Sequence, residues 1–277
     1  MSSGNLTQSL TVEVTTRCNL KCVMCPHGLP SGYPGQSDID PRLLDNVLGS
    51  LDSLDYVLPT GVGEPLLAPA FWKIVDALGG RTSPKLRFVT NGILLTEANV
   101  DRLMKAPIAY VQVSVDAASE HTHRRIRGND LNRTLSGIKR LINARSEIGQ
   151  TFEVGMSFVM MRENVGELVD FVQLAKEIGA DVVYFEHLVS VPHPENWDVR
   201  RGNWRFNYSE NDLRSDPRYA DTLMELALDE ADRLGVRIGG AAVFLEPGRD
   251  HLHRDRPCRK VASGWAFAQV QDEPIVQ

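Results

Sequence analysis

The chain of 277 residues is 42% hydrophobic and 24% charged, with a formal net charge of −6 and four cysteines. This is the composition of a soluble globular protein, long enough for one large core or two smaller ones, and the lack of any long Lys/Arg run gives nucleic acid no electrostatic grip. The segment Met1 to Gln8 is polar and lacks the apolar stretch of a secretion signal, and no apolar run approaches the ~20 residues needed to span a bilayer, so a cytoplasmic protein without a membrane partner is expected.

Taken in order, Leu10 to Thr15 reads as the first strand, and Asp38 to Pro41 carries a helix-start signal ahead of the apolar face Leu44, Val47, Leu48 and Leu51. Asp55 to Pro59 is the second strand and Phe71 to Leu78 the second helix. Leu86 to Thr90 is the third strand, followed by a helix over Glu97 to Met104. Ala109 to Val115 is the fourth strand, and Leu135, Ile138, Leu141 and Ile142 stripe the next helix. Phe152 to Met160 is the fifth strand, followed by a helix with Leu168, Phe171, Val172, Ala175 and Ile178 on one face and Gly179 as its stop. Val182 to Phe185 is the sixth strand. A last helix over Tyr219 to Leu234 ends at Gly235, before a short run Val236 to Ile238.

Strands alternating with helices imply parallel pairing, because each crossover must return over the sheet. About six such units predict an α/β fold of the partial (β/α)6 TIM-like barrel type, with its chemistry at the carboxyl ends of the strands. The barrel is expected over residues 1–238. Within it, 190–217 breaks the rhythm with Pro192, Pro194, Trp197, Trp204 and Phe206 and suits a lid or substrate-binding loop. Residues 239–277, with Cys258, form a short C-terminal extension.

Cys18, Cys22 and Cys25 follow the first strand in a C-x3-C-x2-C pattern. Such crowding without a secretion signal points to a metal or cluster site rather than disulfides. A cubane cluster has four irons, each wanting a terminal ligand, so three thiolates leave one iron open for a substrate or cofactor. The competing reading is a zinc site with His27 as fourth ligand, although zinc knuckles usually draw two ligands from each of two segments.

With this spacing after its first strand, the chain resembles the radical S-adenosylmethionine (radical SAM) superfamily, in particular members with a SPASM or twitch-type C-terminal extension. The resemblance implies a 4Fe-4S cluster on Cys18, Cys22 and Cys25 and S-adenosyl-L-methionine on the open iron, with Met24 near the adenine. Gly61, Gly63, Glu64 and Pro65 match the family's GGEP segment, with Val62 in place of a glycine; that segment would meet the cofactor's amino group. Asn91 belongs to a TNG stretch that would line the site. The run Ser114-Val115-Asp116-Ala117, followed by Arg125 and Arg127-Gly128, resembles the family's SxDG and R-x-RG stretch, with Ala117 for glycine. It implies that Ser114 contacts the cofactor's polar end and that Arg125 pairs with its carboxylate, where a guanidinium fork suits two oxygens. By position alone Arg124 and Arg127 read as a solvated face. Ser157 stands where the family places a ribose contact, and Leu188 where it touches adenine.

The function so implied is reductive cleavage of S-adenosylmethionine to a 5′-deoxyadenosyl radical, which abstracts hydrogen from a small polar metabolite or a peptide in an oxidation, epimerisation or related modification. An external one-electron donor of flavodoxin or ferredoxin type would supply the electron. Alternation along the sixth strand lets either Glu186 or His187, not both, face the interior as a base. The tail from Cys258 to Pro274 resembles the opening of a cluster-binding extension; one thiolate cannot hold a cluster, so no complete auxiliary site is expected in it. The alternative to an enzyme is a non-catalytic binding module stabilised by zinc or iron–sulfur.

Overall fold

A computed structural model describes residues 7–188 and 197–239. The readings that fall on Cys258 and on the rest of 240–277 lie outside the described residues. The first half of the chain runs β1 (Ser9–Val12), α1 (Pro41–Ser50), β2 (Tyr56–Pro59), α2 (Pro69–Leu78), β3 (Lys85–Thr90), α3 (Glu97–Leu103) and β4 (Ile108–Ser114). It continues through α4 (Glu120–Arg127), α5 (Leu131–Glu147), β5 (Glu153–Met160), α6 (Leu168–Ile178) and β6 (Val182–His187). The last elements are β7 (Asp198–Arg201), β8 (Trp204–Asn207), α7 (Tyr208–Asn211), α8 (Pro217–Leu234) and β9 (Arg237–Gly239).

Seven strands form one sheet in the order β1-β2-β3-β4-β5-β6-β9, and every neighbouring pair is parallel. The predicted α/β architecture is therefore present, with the run 236–238 contributing a seventh strand. β1 is shorter than its sequence suggested: after Val12 the chain leaves β2, and Thr15 instead bridges antiparallel to Asp38. The helix stops fall where glycine was expected, because Gly179 and Gly235 both take the left-handed conformation that terminates a helix.

Alternation gives each central strand two faces. Phe88, Val111, Val113, Met156, Phe158, Val183 and Phe185 pack beneath the helices in the main core. Phe158 meets Phe171 of α6 edge-on at 4.9 Å, and Phe88 meets Phe71 of α2 at 5.1 Å. The opposite face carries Arg87, Tyr110, Gln112, Ser114, Gly155, Ser157, Tyr184 and Glu186. Here Gly155 is required by packing: a β-carbon on it would lie 2.6 Å from the Tyr110 hydroxyl.

Two features were not foreseen. The arginine-rich stretch after β4 is a true helix, α4, capped by the Ser119 hydroxyl at Thr122 N–H and closed by Gly128 at φ +79°. Within the proposed lid region, β7 and β8 form an antiparallel hairpin. Its Val199 and Phe206 join Trp197, Tyr208, Val23, Ile126, Met161 and Leu188 in a second, smaller apolar cluster. The described part of that region is thus packed onto the cysteine loop. No helix among the described residues is long and apolar enough to cross a membrane.

Candidate active site on the three-cysteine loop

The loop after β1 presents Cys18, Cys22 and Cys25 as free thiols. Its backbone is fixed from several sides. Cys25 N–H donates to the Cys22 carbonyl at 3.1 Å, and Val23 N–H donates to the Ile126 carbonyl of α4 at 2.9 Å. The Val23 carbonyl accepts from the Trp197 indole at 2.9 Å. Arg201 of β7 donates to the carbonyls of Lys21 and of Arg124, tying hairpin, helix and loop together.

Burial pushes the Cys18 thiol up to about 11 and the Cys25 thiol to about 12, and it raises that of Cys22 as well. Neighbouring cysteines add to the rise at Cys18 and Cys25 and Asp116 adds to it at Cys22, while the Arg127 guanidinium pulls all three down. All three cysteines also pack into one small apolar cluster with Leu20 and Ile93, so the sulfurs share one neighbourhood. Yet among the described residues no three His, Cys, Asp or Glu side chains converge to hold a single ion. A cubane, which spreads three thiolates over three irons, suits that arrangement better than one zinc. His27, the would-be fourth zinc ligand, is buried with its ring 4.9 Å from Tyr33 and its Nε2 without a hydrogen bond. The donor set therefore fits an iron–sulfur cluster.

The segment after β2 packs directly on this loop. Glu64 N–H donates to the Arg17 carbonyl at 2.8 Å, and a β-carbon on Gly63 would lie 2.3 Å from the Thr15 carbonyl oxygen, so only glycine fits there. The Glu64 side chain turns inward. It accepts from Thr90 Oγ1 at 2.7 Å, Asn91 N–H at 2.8 Å and Leu66 N–H at 3.2 Å. Burial raises its carboxyl against the pull of these donors. Gly61 and Pro65 flank it, and Val62 occupies the family's glycine position without a positive φ, its N–H donating to Glu13 at 2.7 Å. At the end of β3, Asn91 Nδ2 donates to Asn19 Oδ1 at 2.7 Å and lies 4.0 Å from the Cys18 sulfur. Glu64 and Asn91 thus connect the ends of β2 and β3 to the cysteine loop.

Ser114 and Ser157 stand opposite each other in the β4–β5 register. Two residues on, Asp116 takes φ +63°, the left-handed region that Asp tolerates better than most residues. Ala117, at the family's glycine position, needs no such conformation. Asp116 Oδ1 accepts from Val159 N–H at 2.8 Å, its carbonyl accepts from Asn164 Nδ2 at 2.9 Å, and its carboxylate pairs with Arg127.

The arginines divide differently from the sequence expectation. Arg125 pairs with Glu163 at 3.0 Å on a partly exposed face, its guanidinium 5.5 Å from the Trp204 ring. Arg124 is solvated as expected and pairs with Glu120. Arg127 is not on a solvated face: its side chain is 8% exposed, and that of its partner Asp116 only 1%. Spacing favoured Arg125 because a three-dimensional neighbour such as Asp116 cannot be seen in a helix's linear order.

On β6 the alternation resolves in favour of Glu186. It accepts from Gln112 Nε2 at 2.9 Å on the polar face of the sheet, and burial raises its carboxyl. His187 points the other way, within the electrostatic reach of Asp212, Arg214 and Asp221, and burial lowers its imidazole. Leu188 and Met24 both belong to the apolar cluster around Val23.

Three thiols on one pinned loop, at the carboxyl edge of a parallel α/β sheet, suit the class of iron–sulfur proteins in which one iron is left for another ligand. Residues 12–175, more than half of the chain, match the model of the Radical SAM superfamily, and the chain belongs to that family. Its members use a 4Fe-4S cluster and S-adenosylmethionine. The mycofactocin maturase MftC of Mycobacterium ulcerans is 30% identical over 172 residues, covering 62% of this chain and 45% of that protein. The AdoMet-dependent heme synthase of Methanosarcina barkeri is 31% identical over 182 residues, covering 64% and 49%. The chain thus spans about half the length of these relatives. Among solved structures, Streptococcus suis SuiB bound to S-adenosylmethionine superposes with a TM-score of 0.64 at 15% identity, covering 86% of this chain and 51% of that one, which supports the fold.

Proposed function

We propose that this protein binds S-adenosylmethionine on the open iron of a 4Fe-4S cluster held by Cys18, Cys22 and Cys25, and uses the pair to abstract hydrogen from a peptide or a small polar metabolite. When bound, that pair supplies one-electron cleavage of the sulfonium carbon–sulfur bond, giving methionine and a 5′-deoxyadenosyl radical. The electron comes from an external carrier of flavodoxin or ferredoxin type. A peptide is favoured as substrate because the relatives include a maturase, and because SuiB has been solved with its precursor peptide SuiA.

The observation that carries this reading is the convergence on one loop of Gly63, Asn91 and α4, which come from separate strand ends, around three free thiols. In the same reading the backbone of Gly61 to Pro65 meets the cofactor's amino group, and Ser114, Ser157 and Arg125 receive its polar atoms. Met24 and Leu188 flank its adenine. Glu186, held by Gln112 and raised by burial, is the proton acceptor on the substrate side. Its second oxygen is available, because Gln112 engages only Oε1.

Protein reconstituted anaerobically with iron and sulfide is expected to release 5′-deoxyadenosine from S-adenosylmethionine on addition of dithionite. Electron paramagnetic resonance of the reduced cluster should change when S-adenosylmethionine is added. Iron-loaded protein that does neither would sink the proposal and leave a structural iron–sulfur module. Glu186→Gln should retain deoxyadenosine release while losing at least tenfold in product formation on a true substrate.

A further inference from the structure

We propose that Arg127 tunes the reduction potential of the cluster on Cys18, Cys22 and Cys25, and that Asp116 opposes it; this rests on the cluster reading above. The geometry begins with α4. Its last turn is locked to the cysteine loop by the 2.9 Å bond from Val23 N–H to the Ile126 carbonyl, and by Arg201 reaching both Arg124 and Lys21. Arg127 follows Ile126 directly, so its guanidinium is delivered beside the loop and buried there. Its Nε has no hydrogen-bond partner, although it is sequestered from solvent. Among the described residues its NH1 pairs with Asp116, itself fixed by the Val159 amide at 2.8 Å and by its left-handed backbone.

A buried ion pair is weak evidence of a purely stabilising role, because desolvation consumes most of the Coulomb gain. What distinguishes Arg127 is its place: its side chain is 8% exposed on the turn of α4 that is bonded to Val23 of the cysteine loop, whereas those of Arg124 and Arg125 are 62% and 37% exposed. Arg125 and Arg124 are committed to Glu163 and Glu120 on more exposed surface. Adding one electron to a cubane ligated by three thiolates raises its net negative charge from one to two. A fixed buried cation favours the more negative form and a fixed buried anion disfavours it, and net charge near the cluster is a principal determinant of its potential. Arg127 therefore makes the cluster easier to reduce by an external donor, and Asp116 limits the effect.

The test uses the full chain, reconstituted anaerobically, with iron and sulfide content measured before a reductive titration followed by electron paramagnetic resonance in the absence of S-adenosylmethionine. Arg127→Met is expected to lower the one-electron reduction equilibrium constant at least tenfold, a downward shift of about 59 mV or more. Asp116→Asn should shift the potential upward, and Arg127→Lys should stay within threefold of the wild type. Arg127→Met and Asp116→Asn break the same ion pair, so a merely structural role would move both in one direction; shifts of the same sign, or none at full iron content, overturn the proposal. If Arg127→Met fails to fold or to hold iron, the absence of an upward shift in Asp116→Asn is sufficient to overturn it. Wild-type protein that takes up no cluster would instead overturn the reading beneath it.

Discussion

The indole N–H of Trp197 donates to the carbonyl of Val23 at 2.9 Å, joining residues 174 positions apart in the chain. Val23 sits between the second and third cysteines, so the segment leading into the β7–β8 hairpin holds the loop that carries the thiols. Trp197→Phe removes this bond but keeps most of the apolar volume, and it should cost about 1 kcal/mol in urea unfolding of the metal-free protein. Trp197→Ala also empties the small cluster and should cost about 3–5 kcal/mol. Both should speed loss of iron to a chelator, Ala more than Phe. Unchanged chelation kinetics in the Ala variant would show that the hairpin does not brace the loop.

Glu64 is a joint between strand ends. Glu64→Ala leaves the Thr90 hydroxyl and the Asn91 and Leu66 amides without their acceptor. At about 1–3 kcal/mol for each buried group left unpaired, the variant should lose roughly 3 kcal/mol or more. Glu64→Gln, which keeps one carbonyl oxygen, should lose less. Equilibrium unfolding of the two variants checks the order; equal losses would mean that the one oxygen glutamine retains contributes nothing.

His123 predicts a pH dependence. Its Nδ1 lies 2.8 Å from the Val115 carbonyl while its Nε2 is buried without a partner. Burial, with Arg127 adding to it, lowers the imidazole from 6.5 to about 4. The folded state therefore disfavours the proton relative to the unfolded chain. The stability that His123 contributes is complete above pH 6.5 and is lost as pH falls through that value toward 4. The loss amounts to at most about 3 kcal/mol. Replacing it by Asn, which can still donate to Val115, should flatten the difference in unfolding free energy between pH 7 and pH 4.5. Identical slopes for the two proteins would show that His123 is not the proton acceptor.

Gly155 predicts a rescue. A methyl group there would meet the Tyr110 hydroxyl at 2.6 Å, so Gly155→Ala should destabilise by about 1–3 kcal/mol through overpacking. The Tyr184 ring lies 3.1 Å from the same point, so relief will be partial. Combining the change with Tyr110→Phe removes the colliding oxygen, and the double variant should recover at least ~0.5 kcal/mol relative to additivity. Strict additivity in thermal or urea unfolding would rule out this contact as the cause.

Much of the candidate site was legible in the linear chain because its signals are local. Cys18, Cys22 and Cys25 lie close together, Glu64 and Asn91 follow strands whose apolar runs are plain, and Gly179 and Gly235 end helices where left-handed backbone is needed. The short, highly charged α4 was hidden, because it has almost no apolar stripe: its eight residues bury one large aliphatic side chain, Ile126. The hairpin was hidden because its strands run for four residues each and pack on a distant loop instead of the main core.

By itself the sequence determined the family, the three-cysteine spacing and the parallel alternating architecture, since each is written in spacing or periodicity over short stretches. Tertiary structure alone decided that Arg127, rather than Arg125, lies buried in an ion pair with Asp116, that Glu186 and not His187 faces the polar side of the sheet, and that Trp197 and the β7–β8 hairpin pack on the cysteine loop. Those choices depend on which distant segments meet. A charge is buried or solvated, and a strand residue faces in or out, only once Asp116, Gln112 and Val23 have been brought within hydrogen-bonding distance of their partners.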